Sequence, residues 1–90
     1  MTRDDHAALI GEWVAVLERI VVAPSGGRFR SHLDARRDVR LTTGDPIGVL
    51  ESPRHAVIVR SPFSGELVSV FVWVGERVQA GEPLICVLTS

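Results

Sequence analysis

The sequence predicts an all-β domain, a flattened barrel of two small antiparallel sheets with pseudo-twofold symmetry, preceded by a short amino-terminal helix or arm. Three observations predict it. From residue 23 onward, turn formers recur at short intervals: Pro24, Gly26, Gly27, Gly44, Pro46, Gly48, Pro53, Pro62, Gly65, Gly75, Gly81 and Pro83. The runs between them are short and rich in Val, Ile, Leu and Phe, the pattern of strands joined by turns. The chain also repeats itself: Ala23-Pro24-Ser25-Gly26-Gly27 resembles Ser61-Pro62-Phe63-Ser64-Gly65, and Thr43-Gly44-Asp45-Pro46-Ile47 resembles Ala80-Gly81-Glu82-Pro83-Leu84. Each half has a Pro-Gly turn, a strand pair, a Gly-acid-Pro turn and a closing apolar strand. Neither half can bury its apolar face alone, so the two interleave and leave the turn between them, at 52–54, exposed at one end.

In chain order, strands are expected near 15–23, 27–31, 38–42, 46–51, 55–60, 66–73, 76–79 and 83–88. Alternation in Arg28-Phe29-Arg30 turns Phe29 to the core and sets Arg28 and Arg30 on one outer face. The uninterrupted run Leu84-Ile85-Cys86-Val87-Leu88 reads as a buried strand, with Cys86 as a small core residue. Residues 1–14 differ from the rest. Asp4 and Asp5 precede Ala7, Ile10, Trp13, Val14 and Leu17 at spacings of three and four, which favours a short amphipathic helix with acids in its first turn. Gly11, Val14 and Val16 oppose its continuation, so a helix or frayed arm gives way to strand. Trp13 either caps the core or projects towards a partner. The domain boundaries are thus 1–14 for the arm and 15–90 for the barrel.

Composition excludes several function classes. Ninety residues enclose one core and no second domain. A formal net charge of −1 is too even for bulk attraction to nucleic acid or an anionic membrane. The single cysteine cannot build a disulfide framework or a cysteine-rich zinc site, and suits a reducing compartment. The stretch MTRDDHAALIGEW has no basic region followed by an apolar core, and no run of about 20 apolar residues is present, so a cytoplasmic location is expected. His6, His32 and His55 lack companions at metal-ligand spacing and read as surface histidines. There is no Gly-x-Ser-x-Gly elbow and no glycine-rich phosphate loop ending in Lys, so no catalytic residue, metal or cofactor is assigned and the chain is not expected to be an enzyme.

One compositional fact has chemical force. All ten basic residues are arginine, and the chain contains no lysine.

Three elements together resemble the biotinyl/lipoyl carrier domains, whose fold is the barrel-sandwich hybrid. Members typically read Glu-Ala-Met-Lys-Met, then a strand and Ala-Pro-x-x-Gly, then Val-x-x-Gly-Asp-x-Val-x-x-Gly-x-x-Leu. Here Glu51-Ser52-Pro53-Arg54-His55 fills the first element and Ser61-Pro62-Phe63-Ser64-Gly65 the second. Val72-Trp73-Val74-Gly75-Glu76-Arg77-Val78-Gln79-Ala80-Gly81-Glu82-Pro83-Leu84 fills the third. The resemblance, to biotin carboxyl carrier proteins in particular, covers about residues 16–88. It implies that the tip lysine would be joined to biotin or lipoate through an amide, its amine attacking an acyl-adenylate. Arg54 stands there instead. A guanidinium stays protonated, with a pKa above about 12, and is a poor nucleophile. The flanking methionines are replaced by Pro53 and His55. The chain therefore resembles a degenerate carrier that lacks the modifiable residue.

Two readings of the tip fit the sequence: a solvated turn on a scaffold, or a group that enters a carrier-receiving site and contacts a carboxylate or phosphate through Arg54. A second candidate surface is the segment 28–40, with five arginines against two aspartates; Arg28, Arg30, Arg36 and Arg37 form either a charged outer face or a contact for an acidic protein surface or a CoA-type phosphate. With Pro53, Arg54, His55 and Trp13 these are the partner-binding candidates. The expected function is an accessory or regulatory protein-binding subunit, of an acyl-CoA carboxylase-type complex as the resemblance implies. The alternative is a scaffold or oligomerisation domain of an unrelated assembly. The expected partner is a protein, carboxylase subunits or a second copy, and not nucleic acid or membrane. Adaptor proteins of efflux systems share the barrel but insert a long helical hairpin between the halves, where this chain has only Ser52 to Arg54.

Overall fold

A computed structural model of the chain describes residues 17–34 and 36–89. The expected helix or arm at 1–14, with Trp13, lies outside the described residues. Among the described residues eight strands form: β1 (Leu17–Val22), β2 (Gly27–Ser31), β3 (Arg40–Leu41), β4 (Pro46–Glu51), β5 (Ala56–Arg60), β6 (Gly65–Val70), β7 (Arg77–Val78) and β8 (Pro83–Thr89). They make two four-stranded sheets of order β1-β8-β6-β3 and β5-β4-β2-β7, with every strand pair antiparallel. The fold is the all-β barrel-sandwich hybrid. Pairing β1 with β5, β2 with β6, β3 with β7 and β4 with β8 turns one sheet order into the other, so the sequence repeat is a repeat of topology. Each sheet draws strands from both halves.

Side-chain alternation fills the space between the sheets. Phe29, Ile47, Leu50 and Val59 from one sheet meet Val21, Leu41, Leu67, Ile85 and Val87 from the other in one cluster. Arg28 and Arg30 flank the fully buried Phe29 and are themselves exposed, as alternation requires. In β8 the four residues Leu84–Val87 are all buried, including Cys86, so this central strand is covered on both faces. The expected strand at 66–73 stops at Val70. The chain turns at Trp73–Glu76, where the Glu76 amide donates to the Trp73 carbonyl (3.0 Å) and the Glu76 carboxylate accepts the Trp73 amide (2.9 Å).

The halves are clasped reciprocally. Asp45 accepts the Thr42 amide on its carboxylate (2.8 Å), while its carbonyl accepts the Ser61 amide of the other half (2.8 Å). Glu82 repeats both bonds, to the Gln79 amide (2.9 Å) and to the Ala23 amide (2.9 Å). The Gly44 amide donates to Ser61 (2.7 Å) and the Gly81 amide to Ala23 (2.8 Å). The acid of each Gly-acid-Pro turn thus organises its own turn and holds the opposite half.

Two further equivalent positions must be glycine, at the starts of β2 and β6. A Cβ on Gly27 would stand 2.8 Å from the Glu51 carbonyl oxygen, and one on Gly65 would overlap the Leu88 carbonyl oxygen. Both obstacles are backbone atoms of paired strands, so no side-chain rotation relieves them. Gly65→Ala is expected to lower stability by about 2–3 kcal/mol, in the range of core overpacking. Urea unfolding would show this as a lower midpoint with an unchanged slope.

Candidate functional site

The β4–β5 hairpin presents the carrier-like tip. Its last strand pair is Glu51 opposite Ala56, beyond which the Ser52 amide donates to the His55 carbonyl (2.8 Å), joined by the Ser52 hydroxyl (3.3 Å). That leaves Pro53 and Arg54 as the apex. Proline suits it because the ring pre-sets φ and brings no amide hydrogen in need of a partner. Pro53, Arg54 and His55 are all exposed and adjacent, as the sequence places them. The residues do not fit an amide-linked biotin or lipoate: the apex side chain is a guanidinium, and the chain has no amine-bearing side chain to substitute for it.

The arginine-rich segment separates into two groups. Arg28 and Arg30 lie on the outward face of β2, beside the base of the tip hairpin: Arg28 is opposite Glu51 and Arg30 opposite Val49. The Arg30 Nε pairs with the Glu51 carboxylate at 2.9 Å, and the Arg28 Nη1 donates to the Gly75 carbonyl at 2.9 Å. Together with Ser31, His32, Val49, Val74 and Gly75 they line an open groove of about 670 Å³. Arg36 and Arg37 are elsewhere, in the β2–β3 connection, where they gather round Asp34. The Asp34 Oδ1 accepts both the Arg36 amide (3.0 Å) and the Arg36 Nε (3.1 Å), and the Arg37 Nε stands 3.9 Å from Oδ2. These bonds from Arg36, side chain first and backbone second, hold the Asp34 carboxyl below the usual aspartate range, and Asp34 in turn raises Arg36.

Sequence reasoning overlooked the Trp73–Val74 turn, which it assigned partly to a strand. Trp73 is 83% exposed and Val74 89%. The available signal was Val74-Gly75-Glu76, a turn sequence in which Gly75 adopts φ +75°. Among the described residues no group of three His, Cys, Asp or Glu side chains could hold a metal, and no helix is long and apolar enough to cross a membrane. Ser61 is the one buried polar side chain among them, and it is satisfied: its hydroxyl donates to the Phe63 carbonyl (2.7 Å) and accepts the Phe63 amide (3.2 Å).

Two expected outcomes test these local environments. Asp34 has a lowered pKa in the folded chain, so its turn is fully formed above the ordinary carboxylate range and opens as pH falls through the lowered value. The Arg36 amide resonance should follow that titration and lose it in Asp34→Asn, while global stability barely moves because the cluster is exposed. The Cys86 thiol is pushed up by burial, with the Glu18 charge adding to it. A thiol-reactive disulfide should label Cys86 in the folded chain at least about a hundredfold more slowly than in urea, since thiolate character and access are both needed.

No protein-family model matches the sequence. No curated protein matches it. Among solved structures, the chain is similar to part of a single-chain, multi-domain long-chain acyl-CoA carboxylase, with a TM-score of 0.70 and 21% identity over 97% of this chain. The chain spans 9% of that protein's length. At this identity the likeness is one of fold.

Proposed function

We propose that the chain is a non-catalytic, non-biotinylated carrier-like domain that acts as an accessory protein-binding subunit of an acyl-CoA carboxylase-type assembly. The observation that carries the reading is Arg54 at the hairpin apex of a carrier-like barrel, in a chain without a single lysine. The hairpin keeps the shape with which a carrier enters a partner's site, while its chemistry changes from an acylable amine to a fixed cation. Such a tip binds instead of transferring: the planar guanidinium offers paired hydrogen bonds to a carboxylate or phosphate. Pro53 limits the backbone freedom lost when the tip is immobilised. The fold similarity to a carboxylase chain points to the class of assembly.

A second reading, a scaffold or oligomerisation domain, is favoured by the edges of the sheets. The edge strands β1 and β5 expose Leu17, Ile20, Val22, Val57 and Ile58, and a sheet edge with apolar side chains suits strand addition between copies.

Titration of the purified chain against the carboxylase subunits of its own source separates these readings. Binding that weakens about tenfold or more in Arg54→Glu is expected, corresponding to loss of a charge-assisted contact. Absence of affinity for every carboxylase component, together with concentration-dependent self-association, would support the second reading. Incubation with biotin ligase should leave the chain unlabelled and Arg54→Lys poorly labelled, because Pro53 and His55 replace the usual flanks; efficient labelling of Arg54→Lys would show that one substitution alone disables the carrier.

A further inference from the structure

The groove on the outward face of β2 and β4 has features that the tip does not explain. Its floor carries Arg28 and Arg30 side by side, and Arg77, paired with Arg28 across β7, extends the same basic face. Among the described residues Glu51 is the one acidic side chain that lines the groove. Among the described residues the bonds to these side chains use Nη1 of Arg28 and Nε of Arg30, which leaves the other guanidinium nitrogens as donors for an incoming acceptor.

The rim of the groove is apolar and held in place. Val74 lines it and Trp73 precedes Val74 in the same turn. That turn is tied to β2 by three bonds: the Gly75 amide to the Phe29 carbonyl (3.0 Å), the Phe29 amide to the Glu76 carbonyl (2.9 Å), and Arg28 to Gly75. A tryptophan and a valine are therefore presented to water by a turn that is hydrogen-bonded to β2. A turn that exposes a tryptophan and a valine and is bonded to one of two neighbouring arginines has the composition of a protein-binding hot spot. Among the described residues, the equivalent connection of the other half, around Asp34, carries no exposed large apolar side chain.

We propose that this groove is a second docking site, distinct from the Arg54 tip, for an acidic segment of a protein partner that also carries an apolar side chain. The acidic groups pair with Arg28 and Arg30, and the apolar side chain packs against Val74 and Trp73. Charge complementarity selects an acidic occupant, and the apolar rim selects a polypeptide over a bare polyanion. An open groove beside a strand accommodates an extended chain better than a compact small molecule, which needs enclosure.

The test is a titration of the isotopically labelled full chain, followed by amide resonances. The probe is an acidic peptide of about twelve residues, rich in Asp and Glu with a central Leu and Phe, and the controls are its Asn/Gln counterpart and an oligothymidylate of similar length. The expected result is shifts confined to residues 28–32, 49–51 and 73–75 with the acidic peptide, absent with the neutral one and suppressed by roughly 0.5 M salt, where screening shortens to a few Å. Affinity should fall about tenfold or more in Arg28→Ala/Arg30→Ala and several-fold in Trp73→Ala, a variant that leaves the arginines in place. Scattered or absent shifts, affinity unchanged in both variants, or oligothymidylate binding as tightly as the peptide would each overturn the proposal.

Discussion

The clasp between the halves is the constraint on which the rest of the structure depends. Asp45 and Glu82 each close their own turn with a carboxylate and hold the opposite half through a carbonyl, to Ser61 and Ala23 respectively. Because the bonds are reciprocal, neither half completes its sheet alone. β4 of the first half pairs with β5 of the second, and β1 pairs with β8 across the whole length of the chain. Phe29, Ile47, Leu84 and Ile85 belong to one continuous core to which both halves contribute. Gly27 and Gly65 belong to the same constraint, since the strands they open lie too close to the neighbouring backbone for any side chain.

A scaffold so strictly repeated makes its departures from symmetry informative. The two halves agree in their turns and in their buried positions, and differ in the connections between their second and third strands. In the first half the exposed part of that connection is charged, with Asp34 bonded to Arg36 and approaching Arg37. In the second half it exposes Trp73 and Val74, and Val74 lines the groove with the arginines of β2. A rigid barrel with variable connections is the usual way in which a fold carries a binding surface.

The tip and the groove share one basis. Both use arginine where a flexible amine is absent from the chain altogether, and both place it at the end of a hydrogen-bonded hairpin or on a paired strand. Arginine has a fixed charge and a planar set of donors, so it recognises anions without becoming a nucleophile. The fold supplies position, and the residue type supplies a cation that cannot be acylated as a lysine amine can.

Much of this was determined by the sequence itself. The spacing of Gly and Pro located all eight strands to within a few residues, because positive φ, close backbone approach and proline's missing amide are properties of single residues. The repeat predicted the pseudo-twofold, and the alternation Arg28-Phe29-Arg30 predicted which side chains face outward. The absence of lysine is enough to establish that no side-chain amine is available for acylation. The tertiary structure alone decided which arginines act together. Arg36 and Arg37 are near Arg30 in sequence yet turn to Asp34, while Gly75 and Val74, more than forty residues away, come to β2 through the Phe29 and Arg28 bonds. It also decided that Trp73 stands in water, since its exposure depends on where β6 ends and the Glu76 turn begins. Local patterns fix what a residue's own backbone must do; pairing across the interleaved halves fixes which distant side chains meet.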